Sequence, residues 1–175
     1  LPRLSHGEDR LRSVELPPFV KACQAGVASV MISHVIYEAW DNEFPATMSR
    51  PIIDGLLRRE MGYDGLVVSD DLEMKAIVNH YGVNPAVVAA TAAGVDCLLA
   101  CHSADVMHGA IDALVEAAGR YESLAAMVAG ANRRHDTFNK IYTRGPVDSP
   151  DQSVIGCDEH KRIAERMFSY AENDE

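Results

Sequence analysis

The chain has 175 residues, and its 16 basic and 26 acidic side chains give a formal net charge of −10 at pH 7. This acidity argues against a surface that binds a nucleic-acid backbone or an anionic membrane. No apolar run approaches the roughly 18 residues that a membrane span needs. We therefore expect neither nucleic acid nor a membrane among its partners. The sequence begins with Leu1 and shows no signal segment before its first helix, which predicts a fragment or a processed product.

The first third of the chain predicts a helix, a strand and a loop. Apolar residues recur at helical spacing over residues 8–25, although Pro17-Pro18 is expected to interrupt that helix. Residues 27–33 form a short, mostly apolar run that is typical of a buried parallel strand. Residues 34–49 are predicted to be a loop.

The pattern of a strand followed by a helix then repeats. Two more strands are predicted at residues 66–69 and 95–100, and helices at residues 52–61, 72–80, 85–93, from 103 onward, and 124–141. Three such units at spacings of about thirty residues indicate an α/β fold with a parallel sheet or barrel and right-handed crossovers. A closed eight-stranded barrel usually needs about 250 residues, so this chain is too short to form one alone.

The last thirty residues differ in composition from the rest. They carry three basic and eight acidic side chains, and they open with Gly145-Pro146 and Ser149-Pro150, which interrupt regular structure. We therefore predict a first domain at residues 1–144 and an acidic extension at residues 145–175. Ile163, Met167 and Tyr170 have helical spacing, which predicts a helix over residues 158–171.

Functional groups in such folds gather where the strands end. Ser33-His34, Asp70-Asp71 and Cys101-His102 each follow a predicted strand. A carboxylate held there suits a glycosidase nucleophile or a metal ligand. Either Asp70 or Asp71 could instead cap the helix that starts near Leu72, and the spacing leaves these alternatives open.

The other candidate groups carry weaker signals. His34 is expected to point toward the same strand ends, and Met74 is a packing residue or a pocket residue. Cys97 and Cys101 would lie roughly 13 Å apart along an extended strand, too far apart to bind one zinc ion. The sequence also has no phosphate-binding glycine loop, so neither a metal nor an organic cofactor is expected.

Four segments together resemble the family 3 glycoside hydrolases, and within them the bacterial β-N-acetylhexosaminidases of cell-wall recycling. They are residues 28–37 (ASVMISHVIY), 45–49 (PATMS), 62–74 (GYDGLVVSDDLEM) and 93–102 (AGVDCLLACH). The resemblance covers about residues 1–142. It implies the last three βα units of a (β/α)₈ barrel, a muropeptide substrate and a cytoplasmic location.

The resemblance also assigns roles to residues. It places the nucleophile of a retaining glycosidase at Asp70, which leaves Asp71 for capping or support, and places His34 and Met74 near the substrate pocket. In these relatives a His paired with an Asp, in an Asp-Ser-His loop before a Leu-Pro pair, acts as the acid/base. Here the pair would be Leu1-Pro2, and His6 lies beyond it and is not the equivalent residue. We therefore expect little turnover by this chain alone.

Two alternatives remain open at this point. In the first, the chain is a non-catalytic half-barrel that associates with another chain through its open sheet edge. In the second, it comes from another family 3 glycosidase, such as a β-glucosidase.

Overall fold

The computed structural model describes residues 1–143, 153 and 155–171, with side chains as far as residue 167. The chain divides into two compact units, Leu1–Tyr142 and Thr143–Glu175. The domain boundary predicted between residues 144 and 145 lies outside the described residues. In the second unit, the predicted helix over residues 158–171 is confirmed.

The elements follow the predicted alternation of strands and helices. The strands are β1 (Arg3–Leu4), β2 (Ser29–Ile32), β3 (Ile36–Tyr37), β4 (Leu66–Asp71) and β5 (Cys97–Leu99). The α-helices are α1 (Glu8–Arg10), α2 (Pro17–Gln24), α3 (Lys75–Val78), α4 (Val83–Ala93), α5 (Ala104–Arg120), α6 (Glu122–Tyr142) and α7 (Asp158–Ala171). Two π-helical segments, Leu11–Glu15 and Pro51–Glu60, and a 3₁₀ turn, Ala46–Met48, complete the set.

The three predicted strands form one parallel sheet in the order β2-β4-β5. This confirms a mixed α/β fold with parallel pairing. The prediction of a plain loop over residues 34–49 was wrong in part, because β3 pairs with β1 in a second parallel sheet. Strands of two residues are too short to show an apolar alternation, so the sequence pattern could not reveal them.

The first helical region shows the predicted interruption at the two prolines. The Leu16 amide donates to the Leu11 carbonyl oxygen at 2.8 Å, which closes a π-helical turn, and α2 then begins at Pro17. A proline has no amide hydrogen to donate, and the first turn of a helix is where that loss costs least.

Helices cover one face of the three-stranded sheet. Side chains from β2, β4 and the helices share one buried cluster, whose members include Ile32, Ile53, Leu57, Tyr63, Val67, Ala90, Ala93 and Val95. Because side chains alternate along a strand, Met31, Val68 and Asp70 lie on the opposite face. Met31 is 58% exposed there. The sheet therefore has a packed face and an open face, and Asp70 belongs to the open face.

A glycine allows α4 to end close to this core. Gly94 has φ +115°, a left-handed conformation that side chains rarely adopt. A Cβ atom added there would also approach Ile53 Cγ2 to 3.1 Å. The glycine lets the chain turn directly from α4 into the approach to β5.

A buried ion-pair network lies where β4 and β5 begin. The fully buried Asp96 carboxylate accepts from Arg58 Nη2 at 2.6 Å and from Arg134 Nη2 at 2.7 Å. It also accepts from the Val67 amide at 2.9 Å. Burial lowers the pKa of Arg58, the negative charge of Asp96 counters that effect, and the positive charge of Arg134 adds to it. Asp96 thus joins the Pro51–Glu60 helix, β4 and α6.

Tyr63 should make the first unit lose stability at alkaline pH. Burial of its hydroxyl raises the pKa of Tyr63 to about 12, from an ordinary value of 10.0. The folded state therefore holds this proton more tightly than the unfolded state does, so the free energy of unfolding falls as the pH rises from about 10 to 12. Urea unfolding across this range measures the slope. Tyr63→Phe should flatten it, and an unchanged slope in that variant would contradict the assignment.

None of the described helices combines the length and apolar character that crossing a lipid bilayer requires.

Candidate functional site

The carboxyl ends of β2, β4 and β5 meet at one edge of the parallel sheet. His34 follows β2, Asp70 and Asp71 close β4, and His102 follows β5. Hydrogen bonds and an ion pair connect these three strand ends.

Asp70 is half-buried at the end of β4, on the open face of the sheet. Its Oδ1 accepts the amide hydrogen of Asp71 at 2.8 Å, which is its one hydrogen bond within the described residues. Its other oxygen, Oδ2, accepts no hydrogen bond within the described residues and can contact a ligand at this edge.

Asp71 contacts residues that follow all three strands. Its Oδ1 accepts from the amides of Glu73 at 3.1 Å and Cys101 at 3.2 Å, and its Oδ2 lies 3.1 Å from His102 Nε2. Its carbonyl oxygen lies 3.0 Å from His34 Nε2. Asp71 therefore connects all three strand ends and fixes the backbone next to Asp70.

Neither aspartate caps the next helix, so the capping alternative is wrong. Helix α3 begins at Lys75 with Met74 as its N-cap residue, and no side chain hydrogen-bonds there. Asp71 instead closes a tight turn with Glu73, a local bond that aspartate forms readily. The side chain of Met74 is 43% exposed. Its contact with substrate stays a prediction.

His34 is buried, with 2% of its surface exposed. Its Nδ1 lies 2.8 Å from Thr47 Oγ1, and its Nε2 lies 3.0 Å from the Asp71 carbonyl oxygen. Because a carbonyl oxygen only accepts, Nε2 carries a hydrogen and donates it. Both ring nitrogens are thus engaged within the chain, and in this arrangement His34 orients Asp71. A direct contact with substrate stays a prediction.

Glu73 is a site residue that the sequence reasoning missed. Its Oε2 accepts from the amides of His102 at 2.6 Å and Ser103 at 3.3 Å, just before α5. A carboxylate is favourable at the amino end of a helix because unpaired amides point toward it. Glu73 and Asp71 together hold the loop after β5 against the end of β4.

The carboxylates around Cys101 should slow the reaction of its thiol. Desolvation raises the pKa of Cys101, and the negative charge and hydrogen bond of Asp71 raise it further. A raised pKa leaves less thiolate at pH 8, and the thiolate is the nucleophile. In a variant whose other three cysteines are serine, iodoacetamide should modify Cys101 more slowly than a cysteine in an unstructured peptide. Asp71→Asn should speed the reaction, and an equal rate in both proteins would contradict the proximity of these groups.

Comparison with known proteins identifies the family. Residues 1–134 match the family described as the glycosyl hydrolase family 3 N terminal domain. The chain belongs to glycosyl hydrolase family 3. The matched region includes every strand of the described structure and the site at the ends of β2, β4 and β5.

Similarities to individual proteins support this family assignment. The chain is 39% identical over 120 residues to a beta-hexosaminidase of Xylella fastidiosa (strain M23), covering 69% of this chain and 34% of the relative. A family 3 beta-N-acetylglucosaminidase from Paenibacillus sp. str. FPU-7 superimposes with a TM-score of 0.77 at 37% identity, covering 95% of this chain and 32% of that one. The beta-N-acetylglucosaminidase from Thermotoga maritima gives a TM-score of 0.74 at 29% identity, with coverages of 79% and 31%. This family 3 chain spans about a third of the length of such relatives.

Proposed function

We propose that the chain contributes the last three βα units of a (β/α)₈-like barrel. The parallel order β2-β4-β5 follows the chain order, as successive barrel strands do. Helices cover one face of the sheet, as they cover the outside of a barrel. The opposite face carries Met31, which is 58% exposed, and would line the barrel interior.

The function proposed for this site is that of a retaining β-N-acetylhexosaminidase with Asp70 as its nucleophile. The observation that carries this proposal is the contrast between the two adjacent carboxylates. Asp71 contacts backbone amides and His102, whereas Asp70 accepts one hydrogen bond within the described part of the chain, from the amide of Asp71. A nucleophile needs a fixed position and a free oxygen, and Asp70 has both. The names of the relatives favour an acetamido sugar as the substrate.

The reaction would proceed in two steps. A carboxylate oxygen of Asp70 attacks the anomeric carbon, and the bond to the leaving oxygen breaks as that oxygen takes a proton. Water then displaces Asp70 and restores the original anomeric configuration. The Asp71 amide, bonded to Asp70 Oδ1, holds the attacking group in place. His34 and Thr47 hold Asp71 in turn.

Assayed alone, the chain should carry out the attack of Asp70 on the sugar but should turn over substrate inefficiently. Its 175 residues contain no Asp-Ser-His segment, and a positioned proton donor typically contributes about 10²–10⁴-fold to such rates. A dinitrophenyl leaving group needs no proton, so dinitrophenyl N-acetyl-β-glucosaminide should give a slow, stoichiometric burst of dinitrophenolate. A phenyl glycoside with a poor leaving group should give none. Rapid turnover of both substrates would contradict this proposal, and so would the absence of a burst.

A sugar comparison separates this function from that of a β-glucosidase. The dinitrophenyl glycosides of N-acetylglucosamine and glucose share the leaving group and differ at the 2-position. The burst should be faster with the acetamido sugar. A faster burst with glucose would favour the β-glucosidase.

We also propose a muropeptide substrate and a cytoplasmic location. The support is the resemblance of the 62–74 segment to the enzymes of cell-wall recycling. Release of N-acetylglucosamine from purified muropeptides by the whole parent protein would test the substrate. Its recovery in the soluble cytosolic fraction of the source cell would test the location.

Association with another chain is a second candidate function. The observation that favours it is that large apolar residues of the first unit are exposed: Phe19 (52% of its surface), Met31 (58%) and Val115 (67%). β2 is an edge strand of the three-stranded sheet, and open edges and apolar surfaces promote pairing. Sedimentation velocity should show self-association that Met31→Lys weakens. A stable monomer at all concentrations would exclude this candidate.

A further inference from the structure

His102 stands at the same strand ends as Asp70, and the proposed function does not use it. It follows β5 by three residues, and its side chain is 74% exposed. The side chain of Asp71, its partner, is only 14% exposed. An exposed imidazole is therefore anchored on a largely buried carboxylate, one residue from Asp70.

The loop that carries His102 is fixed through its backbone. Glu73 accepts the His102 amide at 2.6 Å, and Asp71 accepts the Cys101 amide at 3.2 Å. Ser103 then caps α5, since its hydroxyl accepts from the Val106 amide. Because the backbone on both sides of His102 is held, the position of the ring relative to the end of β4 is also defined.

The anchoring also selects one form of the ring. Nε2 lies 3.1 Å from Asp71 Oδ2, and because a carboxylate oxygen only accepts, this contact favours a hydrogen on Nε2. In the neutral imidazole Nδ1 then has a free lone pair. Within the described residues Nδ1 has no hydrogen-bond partner. The free acceptor is thus available to a hydroxyl group of a ligand at this edge.

We propose that His102 binds the sugar at this site by accepting a hydrogen bond from a sugar hydroxyl at Nδ1. This inference rests on the proposed function, because it takes the ligand of the Asp70 site to be a sugar. Asp71 then has two tasks: its amide holds Asp70, and its carboxylate orients His102. The end of β4 then supplies the nucleophile, the loop after β5 supplies a sugar contact, and Asp71 supports both.

Nuclear magnetic resonance of the 175-residue chain labelled with ¹⁵N-histidine tests this proposal, with N-acetylglucosamine as the probe. We expect His102 to populate the form with hydrogen on Nε2, and the sugar to shift its ring nitrogens. His108 is the matched control, because it is exposed on α5 and has no partner within the described residues. Its signals should stay unchanged.

Substitutions add a quantitative readout. His102→Ala should weaken sugar binding about three- to ten-fold, the worth of one hydrogen bond. His108→Ala should leave binding unchanged, and circular dichroism should show both variants folded. Free exchange of the His102 proton between its nitrogens, or a His102 ring that does not respond to the sugar, would overturn the proposal.

The same experiment separates this inference from the proposed function. If His102 has no role, its signals stay unchanged while the dinitrophenolate burst from the Asp70 site persists. If the proposed function is wrong, the burst is absent in the parent chain and in the His102 variant alike.

Discussion

Replacing Asp96 by Asn should destabilise the first unit by about 3–5 kcal/mol, the cost of breaking a buried ion pair from one side. The substitution removes the negative charge between Arg58 and Arg134 and leaves two positive charges facing each other. The Arg58 side chain is only 15% exposed, so water can replace little of the lost interaction. Urea unfolding of the 175-residue chain, followed by circular dichroism, measures the change in the free energy of unfolding.

Asp64→Asn is the matched control for this prediction. It makes the same chemical change on an exposed residue in the turn before β4, where surface substitutions usually stay within about 0.5 kcal/mol. A variant Asp96→Asn that is already unfolded in water would support the prediction. A loss below about 1 kcal/mol would show that the network contributes little.

Replacing Asp70 by Asn should abolish the dinitrophenolate burst, with a fall in rate of at least about 10³-fold. An amide is a far weaker nucleophile than a carboxylate, and single losses of a catalytic nucleophile cost this much or more. Because Asp70 is half-buried and makes one hydrogen bond, the variant should keep its fold.

The control for this prediction separates chemistry from stability. Asp64→Asn should keep the full burst, and the unfolding midpoint of Asp70→Asn should stay close to that of the parent chain. An undiminished burst in Asp70→Asn would assign the reaction to another group.

The main strands could be predicted because their residues are apolar and bounded by glycines. β4 follows Gly62 and Gly65, and its apolar start packs against the helices. The resulting parallel sheet brings the predicted residues His34, Asp70 and His102 to one edge.

The contacts at that edge could not be predicted. The choice between Asp70 and Asp71 came from resemblance, since spacing alone treats adjacent carboxylates alike. The structure distinguishes them by their hydrogen bonds: among the described residues Asp70 bonds to the adjacent amide of Asp71, whereas Asp71 bonds to the amide of Cys101, thirty positions away. The burial of His34 against Thr47 has the same long-range origin.

The ion pairs of Asp96 could not be predicted from the sequence either. Arg58 and Arg134 each lie 38 residues from Asp96 in sequence, and neither belongs to a recognisable motif. Arg58 lies on a helix whose pattern indicates only an amphipathic face. Such pairs become visible once the sheet and the helices are placed together.

The most direct test of Asp70 as the nucleophile is to locate the bound sugar after the burst. Because the 175 residues contain no Asp-Ser-His segment, we expect water to be activated slowly and the glycosyl adduct to persist long enough for proteolysis and peptide mass spectrometry. We predict one N-acetylglucosaminyl group, attached to Asp70. An adduct on Asp71, Glu73 or any other side chain, or no adduct at all, would contradict that assignment.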